Sequence, residues 1–222
     1  MNAWLKSVLQ AVLIIAVPVV LLVMPIRVLM HPRYVYFEYG RPGFLPDAFG
    51  FTQAERTRLA VVGIDSIIGP RGVVVLQEAR LPDGLPAFNE REVSHMQDVR
   101  VVTANIYFVQ GVSLLAAALA LTALARAEPR AAAGALLRGA VLTLGLLVAL
   151  VSLVLAGFDA FFTTFHRVFF SGDTWLFSYT DTLIRMYPVQ FWFDAATIIG
   201  GMTIAGAAVL GVTAWLWGRA AR

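Results

Sequence analysis

The chain has 222 residues, 59% of them apolar and 14% charged, with a formal net charge of +3 and no cysteine. An average soluble domain is about 45–50% apolar and about 25% charged, so the composition excludes a disordered chain and argues against a water-soluble globule; it reads as an integral membrane protein. The small net charge and scattered arginines exclude a nucleic-acid binder, and the lack of cysteine excludes disulfides, thiolate metal sites and a cysteine acyl-enzyme.

A helix needs about 20 apolar residues to cross a hydrocarbon core about 30 Å thick. Four stretches reach that length: 7–26, 101–124, 136–158 and 191–217. The first reads as a retained signal anchor. Its apolar run exceeds the roughly 7–15 residues of a signal-peptide core, and no small-x-small site precedes Met30-His31-Pro32. Pro18 and Pro25 predict a kink in it. The expectation is an all-α membrane protein, one integral domain over 1–222. A 74-residue insertion (27–100) separates helices one and two. An Ala-rich loop joins helices two and three, and an aromatic-rich segment (159–190) joins three and four.

Orientation follows from where Lys and Arg fall. Lys6, Arg126, Arg130, Arg138, Arg219 and Arg222 share one side with a single acid, Glu128. The other side carries eleven arginines against thirteen acids, Asp194 included. Both termini are therefore expected to be cytoplasmic, with both larger connections outside.

The insertion holds six of the ten prolines, and a connection of that length usually has structure or function of its own. Thr52 and Glu55 have the spacing of a capping box, predicting a short helix over Arg58–Ile68 that Gly69-Pro70 ends. The run Val73–Leu76 reads as a brief strand, and Pro82-Asp83-Gly84 as a turn. Asn89 with Glu92 marks a second helix start, with no breaker before about Arg126. At 1.5 Å per residue, His95 stands roughly 9 Å above Val101, near the depth of lipid headgroups.

The second external segment is dense in rings, with 13 of the 26 aromatic residues between Phe158 and Phe193. If the third helix continues into it, Phe158, Phe161, Phe162, Phe165 and Phe169 form one stripe. His166 lies at its edge, beside Asp159 and Thr163. An interfacial aromatic belt accounts for most of these rings; a surface contacting acyl chains accounts for their density.

Histidine is the side chain best suited to moving protons near neutral pH. His95 and His166 stand at similar height on different spans and form the candidate catalytic pair, the alternative being that each satisfies an interfacial hydrogen bond. His31, in a Met-His-Pro turn, reads as structural. Glu92-x-x-His95-x-x-Asp98 places three polar groups on one helix face, where Glu92 or Asp98 could orient His95. Glu-x-x-His is also half of a di-iron site, but a second copy is missing, so no metal is assigned; two histidines on separate helices would also suit haem. Asp194, an acid three residues into the fourth span, is suspect by position, with Arg185, Arg167 or an interfacial water as partner. No Gly-rich phosphate loop, Ser-x-x-Lys pair or G-x-S-x-G elbow occurs, and Ser94 points away from its neighbour His95.

The motif FNEREVSHMQDV (88–99), FHRVFF (165–170), Trp175, Asp181-Thr182-Leu183-Ile184, Pro188 and FWFD (191–194) resemble the Lit-type bacterial lipoprotein intramolecular transacylases. The resemblance extends over the four-span plan. It implies that the sn-2 acyl chain of a lipoprotein's S-diacylglyceryl cysteine moves onto that cysteine's own α-amino group, leaving the lyso form. It also implies a bacterial cytoplasmic membrane location, diacylated lipoproteins and membrane lipid as partners, and no cofactor, since ester-to-amide exchange runs downhill. The family's two essential histidines map onto His95 and His166. Around them, Glu92, Asp98, Phe165, Arg167, Phe169, Trp175 and Asp194 are the candidate substrate-binding or orienting residues. The competing readings are a non-catalytic membrane assembly or lipid-binding protein and a haem or metal carrier.

Overall fold

A computed structural model describes residues 1–170 and 172–221; Arg222, counted above with one side's charges, lies outside them. Among the described residues four helices are long and apolar enough to cross a membrane: α1 (Ala3–Leu29), α5 (Glu90–Ala127), α6 (Pro129–Ala156) and α9 (Val189–Ala220). Each contains or closely overlaps one predicted span. α1 stays helical through Pro18 and Pro25.

The Ala-rich stretch expected as a loop is instead the start of α6. Pro129 sits at its first turn, where the missing N–H removes no helical bond. Ala131, Ala132, Ala133 and Ala135 are buried. Ala131, Ala132 and Ala135 belong to a core with Leu13, Val17, Ala120, Leu124, Leu136 and Ala214. Small residues let membrane helices approach closely, and Gly139 marks one such approach: a Cβ there would lie 2.8 Å from that of Val17. Residues 1–27, 106–158 and 197–222 cluster as one compact unit.

The second unit comprises 28–105 and 159–196 and is helical too. His31 caps α2 (Pro32–Tyr39), its Nδ1 accepting the Arg33 N–H at 3.1 Å, which agrees with a structural role. The capping box of Thr52 and Glu55 starts α3 (Gln53–Ile68), and Gly69 follows its last turn. Arg100 donates to the carbonyls of Ser66, Ile67 and Gly69 at 2.8–3.0 Å, satisfying acceptors that the end of α3 leaves open. The expected strand at Val73–Leu76 is instead part of α4 (Val74–Glu78). Four apolar residues cannot separate strand from helix by period, and only Leu76 of α4 is buried. Among the described residues the insertion's extended pairing is a lone bridge, Arg80 with Pro86.

The third span does not run on into the aromatic segment. α6 ends at Ala156, Gly157 is extended (φ 174°, ψ 94°), and a separate helix, α7 (Phe158–Phe169), follows.

Arginines hold the insertion to α8 (Thr182–Met186). Arg56 donates to the carbonyls of Arg185 at 2.7 Å and Leu45 at 2.6 Å. The Tyr187 hydroxyl donates to Ala60 at 2.6 Å, and that of Tyr39 to Met186. Asp47 and Arg185 form an ion pair at 2.8 Å, their side chains only 2% and 13% exposed. Burial alone would raise the Asp47 carboxyl, but the Arg185 guanidinium and the N–H groups of Phe51 and Phe49 outweigh it and hold the pKa below the usual carboxylate range. A depressed pKa adds stability that is present above the unfolded value of about 3.9 and lost as pH falls through the folded one. Asp47→Asn is expected to cost roughly 3–5 kcal/mol at pH 7, the price of leaving one member of a buried pair uncompensated. Thermal unfolding from pH 7 to 3 should show the gap to wild type closing at the acid end; a gap that stays constant contradicts the assignment.

Candidate active site

The start of α5 sets His95. Asn89 Oδ1 accepts the Glu92 N–H at 3.0 Å, and Glu92 Oε2 accepts the Asn89 N–H at 2.8 Å, a reciprocal cap of the kind the spacing predicts. The other Glu92 oxygen accepts the Leu183 N–H of α8 at 2.7 Å. Glu92 is 1% exposed, and both its oxygens serve backbone rather than the His95 ring. It positions His95 only through the helix that carries both.

Asp181 extends this junction. It accepts from Asn89 at 3.1 Å, from Arg91 at 2.8 Å and from the Ser178 N–H at 2.7 Å, while Thr182 donates to the Ala87 carbonyl at 2.5 Å. These bonds lay the segment before α8 against the start of α5 and bring Phe177 to 5.3 Å from the His95 ring. Arg91 covers the Phe177 ring at 5.7 Å.

His166, on the last turns of α7, stands 6.2 Å from His95 between ring centroids, the planes 23° apart. Phe170 edges against both imidazoles, at 4.9 Å from His95 and 5.5 Å from His166. Trp175 lies 5.0 Å from His166, Phe162 3.9 Å and Phe165 5.4 Å. Two imidazoles thus share an aromatic enclosure.

Their hydrogen bonding differs. His166 Nδ1 lies 2.8 Å from the Phe162 carbonyl. A carbonyl oxygen only accepts, so Nδ1 carries the proton and the lone pair of the neutral ring is on Nε2. Burial pushes the His166 pKa below the ordinary histidine range, partly opposed by the Phe162 carbonyl, which favours the protonated ring. His95 is 9% exposed, and its Nδ1 is buried with no partner among the described residues. Nothing among the described residues fixes its tautomer.

The other candidates divide. Trp175 and Phe165 belong to the enclosure. Phe169 packs on Phe165 at 4.9 Å and is 45% exposed, continuing an apolar stripe through Phe161. Arg167 is exposed, and neither it nor Asp98 bonds to an imidazole among the described residues. Asp194 joins a different cluster: its partner is Arg41 at 3.6 Å, beside fully buried Glu38. Arg185, one expected partner, is taken by Asp47.

Phe162, Phe170 and Phe177 were not singled out as site residues from sequence. Phe162 and Phe170 stand four residues either side of His166, a spacing that marks one helical face and was available to read. Phe177 carries no local signal, because long-range bonds to Asp181 deliver it.

The model of the family described as "Lipoprotein intramolecular transacylase Lit" matches residues 11–192. A protein of Aquifex aeolicus (strain VF5), described as uncharacterized, is 29% identical over 204 residues, covering 88% of each chain. Among solved structures, the integral membrane lipoprotein intramolecular transacylase Lit of Bacillus cereus superposes with a TM-score of 0.82 at 21% identity, covering 100% of this chain and 99% of that one. A histidine-to-alanine variant of the same protein superposes at 0.78 and 21% identity, covering 98% and 95%. The match over most of its length, on four helices able to span a membrane, places this chain in the Lit family of lipoprotein intramolecular transacylases, which are membrane acyltransferases.

Proposed function

We propose that the chain moves the sn-2 acyl group of a lipoprotein's S-diacylglyceryl cysteine onto that cysteine's α-amino group, with His166 as base and then acid and His95 as oxyanion donor. The pairing of the two imidazoles carries this reading. A catalytic group works at about 2.6–3.2 Å from the atom it serves, so two rings 6.2 Å apart can reach opposite sides of one reacting carbonyl.

The tautomers support the division of labour. His166, protonated on Nδ1, offers Nε2 to the α-amino group as nitrogen attacks the ester carbon. The resulting imidazolium donates to the Phe162 carbonyl through Nδ1 and returns the other proton to the glyceryl oxygen as the C–O bond breaks. The proton gained from nitrogen is the one given to oxygen, so the exchange is balanced and consumes no cofactor. His95, whose protein partners leave its tautomer open, supplies an N–H to the oxygen that becomes negative in the tetrahedral intermediate. Because amine and ester belong to one molecule, proximity supplies much of the acceleration.

The surroundings suit a lipid substrate. Phe161, Phe165 and Phe169 offer an apolar stripe for the acyl chain, and Phe170, Phe177 and Trp175 limit water at the rings. Glu92 positions His95, and Asp98, Arg167 and Asp194 stay outside the proton path. The charge distribution supports cytoplasmic termini, which puts the histidine pair at the extracytoplasmic face of the bacterial membrane, where diacylated lipoproteins present their N-terminal cysteine.

Expression in bacteria lacking such an enzyme tests the reading, with fragmentation mass spectrometry of one lipoprotein's N-terminal lipopeptide, since an internal shift leaves intact mass unchanged. Wild type should give an amide-linked acyl fragment. His166→Ala should lower the conversion rate about 10²–10⁴-fold, as loss of a general base does, and His95→Ala about 10²–10³-fold, as loss of an oxyanion donor does. Full conversion by either variant contradicts the assignment.

The pH profile adds a second check. Only the neutral α-amine attacks, and its pKa is about 8, so the rate should fall about tenfold per unit below that. Burial holds the His166 pKa below about 6.5, so the base stays neutral and the steeper limb, about a hundredfold per unit, should begin only below that value. A steep limb already present at pH 7 contradicts a neutral His166.

A further inference from the structure

Within the first unit, Arg27 has no counter-charge among the described residues, as is also true of Arg126, Arg130, Arg138 and Arg219, but Arg27 is held by a buried amide and an aromatic ring. Arg27 occupies the last turn of α1, where the first apolar run ends. Its Nη1 donates to Gln110 Oε1 on α5 at 3.2 Å, and its guanidinium lies 4.5 Å over the Tyr107 ring. Gln110 is 4% exposed and its amide nitrogen lies 4.0 Å from Met24 Sδ, so the amide that holds the guanidinium is fixed from behind. Among the described residues no carboxylate lies within ion-pair distance of Arg27, whereas Arg41, Arg71, Arg91 and Arg185 each have one. The Tyr107 hydroxyl is buried and also without a partner there.

We infer that Arg27, Tyr107 and Gln110 form a binding site for the phosphate of an anionic phospholipid. An arginine has five N–H donors in a flat fork that matches two oxygens of a phosphate, and the protein uses one of them. The phenol adds a donor on the ring beneath the guanidinium, and a buried hydroxyl left unpaired is costly. Arginine at the end of a membrane span meets the layer where glycerophosphates lie, and ionisable groups at such depth commonly mark sites. Basic pockets between membrane helices bind headgroups by this chemistry. The proposed acyl donor, a diacylglyceryl thioether with an α-ammonium group, contains no phosphate, so this ligand is a different lipid.

Native mass spectrometry of the protein in detergent tests the inference on wild type, Arg27→Gln, Arg27→Lys and Tyr107→Phe. The probes are phosphatidylglycerol, a diacylglycerol with the same chains, and inorganic phosphate. Phosphatidylglycerol should bind wild type about tenfold more tightly than Arg27→Gln, as for loss of a charge-assisted hydrogen bond. Tyr107→Phe, which keeps the ring, should lose severalfold, and Arg27→Lys should retain part of the binding. Diacylglycerol should bind all four proteins equally. Equal phosphatidylglycerol binding by wild type, Tyr107→Phe and Arg27→Lys overturns the site even if Arg27→Gln fails to fold. A parallel loss of diacylglycerol binding shows a general defect and overturns it too. Inorganic phosphate competing as well as the lipid overturns the lipid assignment in favour of a free-phosphate site.

Discussion

A single buried carboxylate joins the two stretches of chain from which the histidine enclosure is built. One Glu92 oxygen closes the reciprocal cap that starts α5, and the other accepts a backbone N–H from α8. A buried N–H left without a partner costs about 1–3 kcal/mol, so this side chain holds a helix start and a loop end together in one geometry. Asp181 and Thr182 add bonds across the same junction. Held there, the intervening segment sets Phe177 against His95 and Trp175 against His166. Glu92 and Asp181 thus tie the pocket together, and neither bonds to an imidazole among the described residues.

In the proposed reaction the two similar rings take different parts. Both imidazoles sit among aromatic side chains, where an unpaired charge is poorly solvated. The Phe162 carbonyl, one helical turn before His166, fixes which nitrogen of that ring carries the proton. It does for this histidine what a carboxylate does in a serine triad, with a dipole in place of a charge, and so raises the basicity of the ring less. The proposed reaction, whose nucleophile is already an amine, needs no stronger base. His95 Nδ1 has no such partner among the described residues.

Much of this was legible in the sequence, for reasons that are local. The four spans follow from apolar length, and the caps at Thr52 and Asn89 follow from residues three positions apart. His95 and His166 were paired from an estimate of similar height that counted along a continuous third helix, which breaks at Gly157; their rings nevertheless lie 6.2 Å apart. What was not legible depends on contacts between distant segments or on short ambiguous runs. Val73 to Leu76 has too few residues to show a period, and it is helical. The alanines after Glu128 suit a helix as well as a loop, and their burial against α1 decides for α6. The extended Gly157 breaks the third helix before its aromatic stripe, which survives because α7 is itself a helix with the same period. Asp194 lies with Arg41 because Asp47 holds Arg185, an allocation that no spacing announces.

The proton position on His166 is the point on which the mechanism turns, and nitrogen-15 NMR of histidine-labelled protein in a membrane mimetic reads it directly. The His166 signals would be assigned by their loss in His166→Gln. At pH 7 the account predicts a neutral ring with a protonated, pyrrole-like Nδ1 and an unprotonated, pyridine-like Nε2. A proton on Nε2, or on both nitrogens, would contradict the assignment of His166 as the base.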